Sequence, residues 1–260
     1  MNLTHNTALI TGASGGIGQE FATQLAARDV HLVLVARRVD RLEHVRTDLL
    51  QRHPNLHIDI VPADLSQPGA GAKLAQKVAK TGHDIDILIN NAGVGSHGRF
   101  VDEDPERVAA QIQLNIGTLV DLTARHLPAM LDRAHGLIIN LASTAAFQPV
   151  ATMAVYSASK AFVLSFTEAL WQETRDSGVR VIALCPGPTE TEFFTRTGEE
   201  FLARGRQTPA QVVTTALRAL DRTTPTVIPG AKNKMSSIGY RILPRRTMVK
   251  LAAQSIKTST

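Results

Sequence analysis

The stretch TALITGASGGIG, residues 7–18, decides the fold. Its first five residues, TALIT, read as a buried strand. Glycines follow at Gly12, Gly16 and Gly18. From residue 16 to 28, Ile17, Phe21, Ala22 and Leu25 are spaced for one face of a helix. A strand that runs through a glycine turn into a helix opens a parallel α/β sheet. Gly12 permits the tight turn, Gly16 lets the backbone approach a pyrophosphate, and Gly18 lets the helix pack close to the sheet. Free N–H groups at the helix start attract phosphate. A tight βα turn needs glycine in any case, and the spacing Gly-x3-Gly-x-Gly differs from the commoner Gly-x-Gly-x2-Gly. The placement between strand and helix is what points to a dinucleotide.

The rest of the chain keeps the rhythm. HLVLVA (31–36) is continuously apolar, as buried parallel strands are. Residues 38–52 follow as a helix with Leu42, Val45, Leu49 and Leu50 inward. HIDIVPADL (57–65), DIDILINNAG (84–93), GLIINLAS (136–143) and VRVIALCPG (179–187) predict strands three to six, and TPTVIPG (224–230) a last one. Helices of about 25 residues from Pro105 to Leu131, and from Val155 to Ser177, fill two gaps. Gly178 ends the second of these. The expected architecture is a single-domain, Rossmann-type, doubly wound parallel sheet with helices on both faces. Ligands bind beyond the carboxyl ends of the strands in such sheets, where the notable residues fall.

Composition excludes several classes. With 260 residues and 43% hydrophobic content the chain can bury one substantial core. The single cysteine, Cys185, lies in an apolar run and reads as a buried thiol, so neither a disulfide framework nor a cysteine metal cluster is expected. No metal site is expected. The amino terminus lacks the pattern of a signal peptide, and no window has the ~18 apolar residues of a membrane span. These features predict a soluble, cytoplasmic protein. The net charge of +5 is concentrated in residues 231–260, which hold Lys232, Lys234, Arg241, Arg245, Arg246, Lys250 and Lys257 and no acid. The high pI therefore belongs to this extension, and no nucleic-acid partner is expected for residues 1–230.

The end of strand two selects between cofactors. A carboxylate there would hold the ribose 2′-hydroxyl of NAD. This chain has Ala36, Arg37 and Arg38, which offer a guanidinium to a 2′-phosphate, so NADP(H) is expected over NAD(H). Both arginines also suit the start of a solvated helix, and for Arg38 that role alone is a sufficient reading. Downstream, YSASK (156–160) places Tyr156 and Lys160 four apart, on one helical face. A free phenol has a pKa of about 10, and a neighbouring ammonium favours the phenolate.

The chain resembles the short-chain dehydrogenase/reductase family, in a bacterial branch similar to 3-oxoacyl and hydroxysteroid reductases. The matching features are TGASGGIG (11–18), Asp64, NNAG (90–93), Asn115, Ser143, YSASK and PGPTET (186–191), in family order over residues 7–230. The resemblance implies a catalytic set of Asn115, Ser143, Tyr156 and Lys160. Tyr156 would be the general acid in reduction and the base in oxidation. Lys160 would keep the phenol acidic and bind the nicotinamide ribose. Ser143 would donate to the substrate oxygen, and the Asn115 carbonyl would hold a water that leads the proton out. It also implies cofactor contacts from Gly12, Ser14, Gly15, Gly16, Ile17 and Gly18 in the turn. Further contacts would come from Asp64 and Leu65 at the adenine, Asn91, Ala92 and Gly93 at the ribose, and Pro186, Gly187, Thr189 and Thr191 near the nicotinamide. Asn90 and Asn91 equally suit a structural tie between strand four and its neighbour.

The expected substrate is a lipophilic ketone, aldehyde or secondary alcohol, in a pocket walled by Ser96, His97, Phe100, Ala145, Phe147, Gln148, Met153, Phe193 and Phe194, with few polar anchors. A 3-oxoacyl thioester is the narrower alternative, its phosphates meeting the basic extension. A non-catalytic dinucleotide-binding regulator is the rival class, and the complete four-residue set argues against it. Family members are dimers or tetramers, so a homodimer or homotetramer is expected. The extension reads as a helix packed on the body or on a second subunit; amphipathic contact with an anionic membrane is the other reading.

Overall fold

The computed structural model describes residues 3–193, 206–242 and 244–257. Seven parallel strands form one sheet in the order β3-β2-β1-β4-β5-β6-β7. They are β1 (Thr7–Thr11), β2 (His31–Ala36), β3 (Ile58–Pro62), β4 (Ile87–Asn90), β5 (Gly136–Leu141), β6 (Val179–Leu184) and β7 (Thr226–Val227). The helices are α1 (Gly16–Ala26), α2 (Val39–Arg52), α3 (Ala70–Ala79), α4 (Pro105–Ile112), α5 (Thr118–Asp132), α6 (Ala154–Glu173), α7 (Pro209–Arg218), α8 (Ala231–Ile242) and α9 (Arg245–Lys257).

The strands are predominantly apolar because both faces are covered. Ala8, Ile10, Leu32, Leu34, Ile87, Ile89, Ile139 and Ile182 pack with Phe21 and Leu25 of α1, Leu42 and Leu49 of α2, and Val213 and Leu217 of α7. The alternate residues Leu9, Val33, Val35, Leu88, Ile138 and Val181 pack with Leu74 and Val78 of α3 and Leu122 and Met130 of α5. This period-two division gives two cores on one sheet. The strand order reverses between β1 and β4, and the two diverging connections open a crevice at their carboxyl ends.

Five sequence readings need correction. The long helix from Pro105 is broken: a π turn at Gln113–Gly117 separates α4 from α5. Helix α6 stops at Glu173 rather than Ser177, and the expected last strand shrinks to two residues. Helix α3 was not foreseen, although Ala70, Leu74 and Val78 recur every fourth residue and all are buried. Helix α7 was also missed. Its signal is a capping box, in which the Thr208 hydroxyl accepts from the Gln211 N–H and the Gln211 side chain accepts from the Thr208 N–H. The sequence from Ala231 onward forms α8 and α9 on either side of Pro244.

Among the described residues, no helix is long and apolar enough to cross a membrane, and no cluster of His, Cys, Asp or Glu could hold a metal ion. Cys185 is fully buried, and burial pushes its thiol up to about 12.

Candidate active site

A cleft of about 720 Å3 opens at the crevice between β1 and β4. Its floor at one end is the glycine turn. Gly12 has φ +70°, and a Cβ there would stand 2.7 Å from the Asn91 amide and 3.1 Å from the Ala92 Cα. A side chain on Gly18 would run into the Gly12 carbonyl, so α1 can approach the turn only without one. Helix α1 carries no acid in its first turn and no side-chain cap, so its N–H groups face the cleft uncompensated. Ser14, Gly15, Gly16 and Ile17 line the same wall. This cradle fits the pyrophosphate of a dinucleotide.

At the end of β2 the two arginines differ. Arg37 is exposed at the rim. Arg38 folds back over the turn, with Nη2 3.3 Å from the Ser14 hydroxyl and Nη1 3.1 Å from the Glu192 carboxylate. Glu192 also pairs with Arg41. The Arg41 hydrogen bond, with that of Arg38 adding to it, holds the Glu192 carboxyl at about 2, far below the usual range. The Asp64 carboxylate accepts from the Ser66 hydroxyl at 2.7 Å and its N–H at 3.1 Å; these bonds, the hydroxyl's first, lower its pKa. Leu65 is buried beside it.

The floor continues along Asn91, Ala92 and Gly93. Asn91 donates its amide to the Thr11 carbonyl at 2.8 Å. Asn90 turns inward and donates to Asn140 at 2.9 Å and to Thr123 at 3.1 Å. Both asparagines therefore tie β4 to its neighbours. Gly93 runs between two polar groups: a Cβ there would lie 3.2 Å from Asn115 Oδ1 and 3.4 Å from Lys160 Nζ.

The π turn carries Asn115 into the interior, and such turns are frequent at functional sites. Its Oδ1 accepts from the Val94 N–H at 3.0 Å. Its Nδ2 donates to the Val94 carbonyl at 2.9 Å and to the Ser159 hydroxyl at 3.0 Å. The Ser159 hydroxyl donates in turn to the Tyr156 carbonyl at 2.7 Å. Asn115 thus braces the first turn of α6 against the loop after β4. It lies behind the cleft lining, as Gly18 does.

Ser143 leaves the end of β5 and Tyr156 the first turn of α6, and both line the cleft. The Ser143 oxygen accepts from the Ala145 N–H at 3.1 Å. The Lys160 ammonium donates to the Leu141 carbonyl at 2.6 Å and sits 5.8 Å from the centre of the Tyr156 ring. Lys160 is only 6% exposed, and burial brings its pKa down to about 8.

The segment after β6 crosses the cleft. Pro186, Gly187, Thr189 and Thr191 all line it. Thr189 is buried and donates its hydroxyl to the Gly187 carbonyl at 2.9 Å. The Thr191 methyl lies 2.8 Å from where a Gly16 Cβ would be. The Phe193 ring leans on Tyr156, with centroids 5.3 Å apart. Of the expected pocket walls, Ser96, His97, Ala145, Gln148, Met153 and Phe193 line the cleft. Phe100 is exposed, Phe147 packs into a core cluster near Val163, and Phe194 lies outside the described residues. Sequence reasoning missed Gln111 and Arg107 of α4, Leu114, and the Glu192 bridge.

A glycine-floored cradle, the Ser143 and Tyr156 hydroxyls and a buried ammonium meet around one cleft on a Rossmann-type fold. Residues 6–201 match the short chain dehydrogenase family. An uncharacterized oxidoreductase of Staphylococcus saprophyticus is 34% identical over 223 residues, 85% of this chain and 94% of that one. A short-chain dehydrogenase from Sphingobium yanoikuyae, solved in complex with NADPH, superposes with a TM-score of 0.82 at 34% identity, over 91% of this chain and 93% of that one. The bulky-bulky ketone specific alcohol dehydrogenase from Comamonas testosteroni gives a TM-score of 0.78 at 32% identity, over 93% of both chains. The chain belongs to the short chain dehydrogenase family.

Proposed function

We propose that this protein interconverts a carbonyl and a secondary alcohol on a lipophilic small molecule, with NADP(H) as cofactor. The observation that carries the reading is the convergence of Ser143, Tyr156 and Lys160 on the cleft that the glycine turn floors. The glycine turn and the start of α1 would hold the pyrophosphate, Asp64 and Leu65 the adenine side, and Lys160 with the segment from Pro186 to Thr191 the nicotinamide side. A nicotinamide dinucleotide bound there supplies the hydride. The chain's own residues supply the rest. The Tyr156 hydroxyl gives its proton to the substrate oxygen in reduction and takes it back in oxidation. The Ser143 hydroxyl donates to the same oxygen and stabilises the charge that builds on it. The Lys160 ammonium favours the phenolate form of Tyr156. Phe193, lying against Tyr156, helps keep water from the reacting atoms. The polar–apolar balance of the walls suits a ketone with a substantial hydrocarbon body. A homodimer or homotetramer in the cytoplasm completes the proposal.

NADP(H) preference rests on Arg38, which reaches over the glycine turn to Ser14. A 2′-phosphate arriving there competes with Glu192 for the guanidinium. Arg38→Ala is expected to weaken NADPH binding by about ten- to a hundredfold, the worth of a charge-assisted hydrogen bond. It should leave NADH binding nearly unchanged. Glu192→Gln is expected to act in the opposite sense and tighten NADPH several-fold, to roughly the same order as other neighbouring-charge effects. Titrations of each variant with both cofactors check this. An equal loss for NADPH and NADH in Arg38→Ala would refute the 2′-phosphate assignment.

A further inference from the structure

The substrate end of the cleft holds a polar feature that lipophilic-ketone reduction does not use. Gln111, in the last turn of α4, is 3% exposed, and its side chain is part of the cleft wall. Its Oε1 accepts from the Ser96 hydroxyl at 3.2 Å. Its Nε2 is buried with no hydrogen-bond partner among the described residues. Gln148 lines the same cleft, and its Oε1 is likewise buried with no hydrogen-bond partner among the described residues. The same lining includes the apolar side chains of Leu114, Val150, Met153 and Phe193, beside Ser96 and His97. An amide in such a setting is unfavourable unless something completes its hydrogen bonds. Leucine would fill the Gln111 position without that cost.

We infer that Gln111 and Gln148 read a second, uncharged oxygen on the substrate, remote from the carbonyl that Tyr156 serves. This rests on the carbonyl-reductase reading above and narrows its substrate class to hydroxyketones and the corresponding diols. The chemistry selects the group. The Gln111 Nε2 is a donor and the Gln148 Oε1 an acceptor. A hydroxyl accepts from the first and donates to the second; a carbonyl satisfies only the first; a methylene satisfies neither. A carboxylate fits poorly. Arg107 is exposed at the rim one turn before Gln111, and Glu103, Asp104 and Glu106 stand beside it in sequence. Tyr156 lies in the first turn of α6 and Gln111 in the last turn of α4, so a skeleton that spans from one to the other can present one oxygen to each.

The test measures ligand binding to the wild-type enzyme saturated with 1,4,5,6-tetrahydro-NADP, a cofactor analogue that neither gives nor takes a hydride. The probes are steroid ketones that carry a hydroxyl on each of the other rings in turn, each beside its deoxy counterpart. At least one hydroxyketone is expected to bind on the order of ten- to a hundredfold more tightly than the deoxy ketone. That preference should vanish in Gln111→Leu and weaken in Gln148→Leu, while both variants keep wild-type NADP+ affinity and bind the deoxy ketone at least as well. The inference is overturned if every hydroxyketone binds within about twofold of its deoxy partner, if the preference survives in Gln111→Leu, or if a carboxylated analogue outcompetes the neutral ones. Because binding is read without turnover, the two readings fail separately. A preference without any NADPH oxidation sustains this inference and refutes the reductase. Oxidation of NADPH with all ketones alike does the reverse.

Discussion

Tyr156→Phe is expected to lower kcat/KM for ketone reduction by about a thousandfold, within the range that a positioned general acid contributes. That loss corresponds to about 4 kcal/mol of transition-state stabilisation. The substitution removes one oxygen and keeps the ring, so the packing of Phe193 on Tyr156 should survive. The α6 first turn is braced through the Tyr156 backbone carbonyl, which accepts from Ser159, and this does not involve the phenol. NADPH affinity and thermal stability should therefore stay near wild type. The informative result is the split: turnover lost, cofactor binding kept. Unchanged turnover would remove Tyr156 from the proton-transfer role. Loss of NADPH binding together with turnover would point to a structural role.

Lys160→Met is expected to cost about a hundredfold or more in kcat/KM and, unlike Tyr156→Phe, to weaken NADPH binding as well. The ammonium is buried, donates to the Leu141 carbonyl, and stands beside Gly93 and the Tyr156 ring. Methionine matches its length without the charge. Its ionisation also sets a pH limit. Burial lowers the pKa to about 8, so the positive charge is present below that pH and lost above it. In the free enzyme, kcat/KM for NADPH should fall as pH rises through about 8. Lys160→Arg keeps its charge over this range; its activity, whatever its level, should show no such fall. A wild-type profile that stays flat well above that pH would mean that the lysine charge is not needed.

The legible part of this protein was local. TALITGASGGIG announced a strand, a turn and a helix within twelve residues, and YSASK placed the Tyr156 and Lys160 side chains on one helical face. Both signals depend on backbone geometry that neighbouring residues dictate. The period-two alternation of Leu9, Ile10, Leu88 and Ile89 between the two cores was hidden, because a strand covered on both faces shows no polar side. The π turn at Gln113–Gly117 was not foreseen, since helix lies on both sides of it and no residue type marks the inserted residue. Helices α3 and α7 carried readable marks that went unused, the four-residue spacing of Ala70, Leu74 and Val78 and the Thr208–Gln211 capping box.

The site divides the same way. The glycine turn was singled out by its placement between strand and helix, and Ser143, Tyr156 and Lys160 by the family resemblance; the fold gathers all of them on one cleft. The Glu192 bridge joins residues more than 150 positions apart, so only the fold brings them together. Gln111 was invisible for a different reason. Glutamine is an ordinary helix residue, and only burial with an unpartnered amide distinguishes it.

The most direct test of the central claim follows a labelled hydride. NADPH deuterated at the transferring carbon of the nicotinamide is incubated with the enzyme and a bulky ketone, and the product alcohol is analysed by mass spectrometry. The account predicts one deuterium on the carbinol carbon, transferred from a single face of the nicotinamide, with the rate collapsing in Tyr156→Phe. NADPH that binds tightly yet transfers no deuterium to any ketone or aldehyde in a broad panel would contradict it.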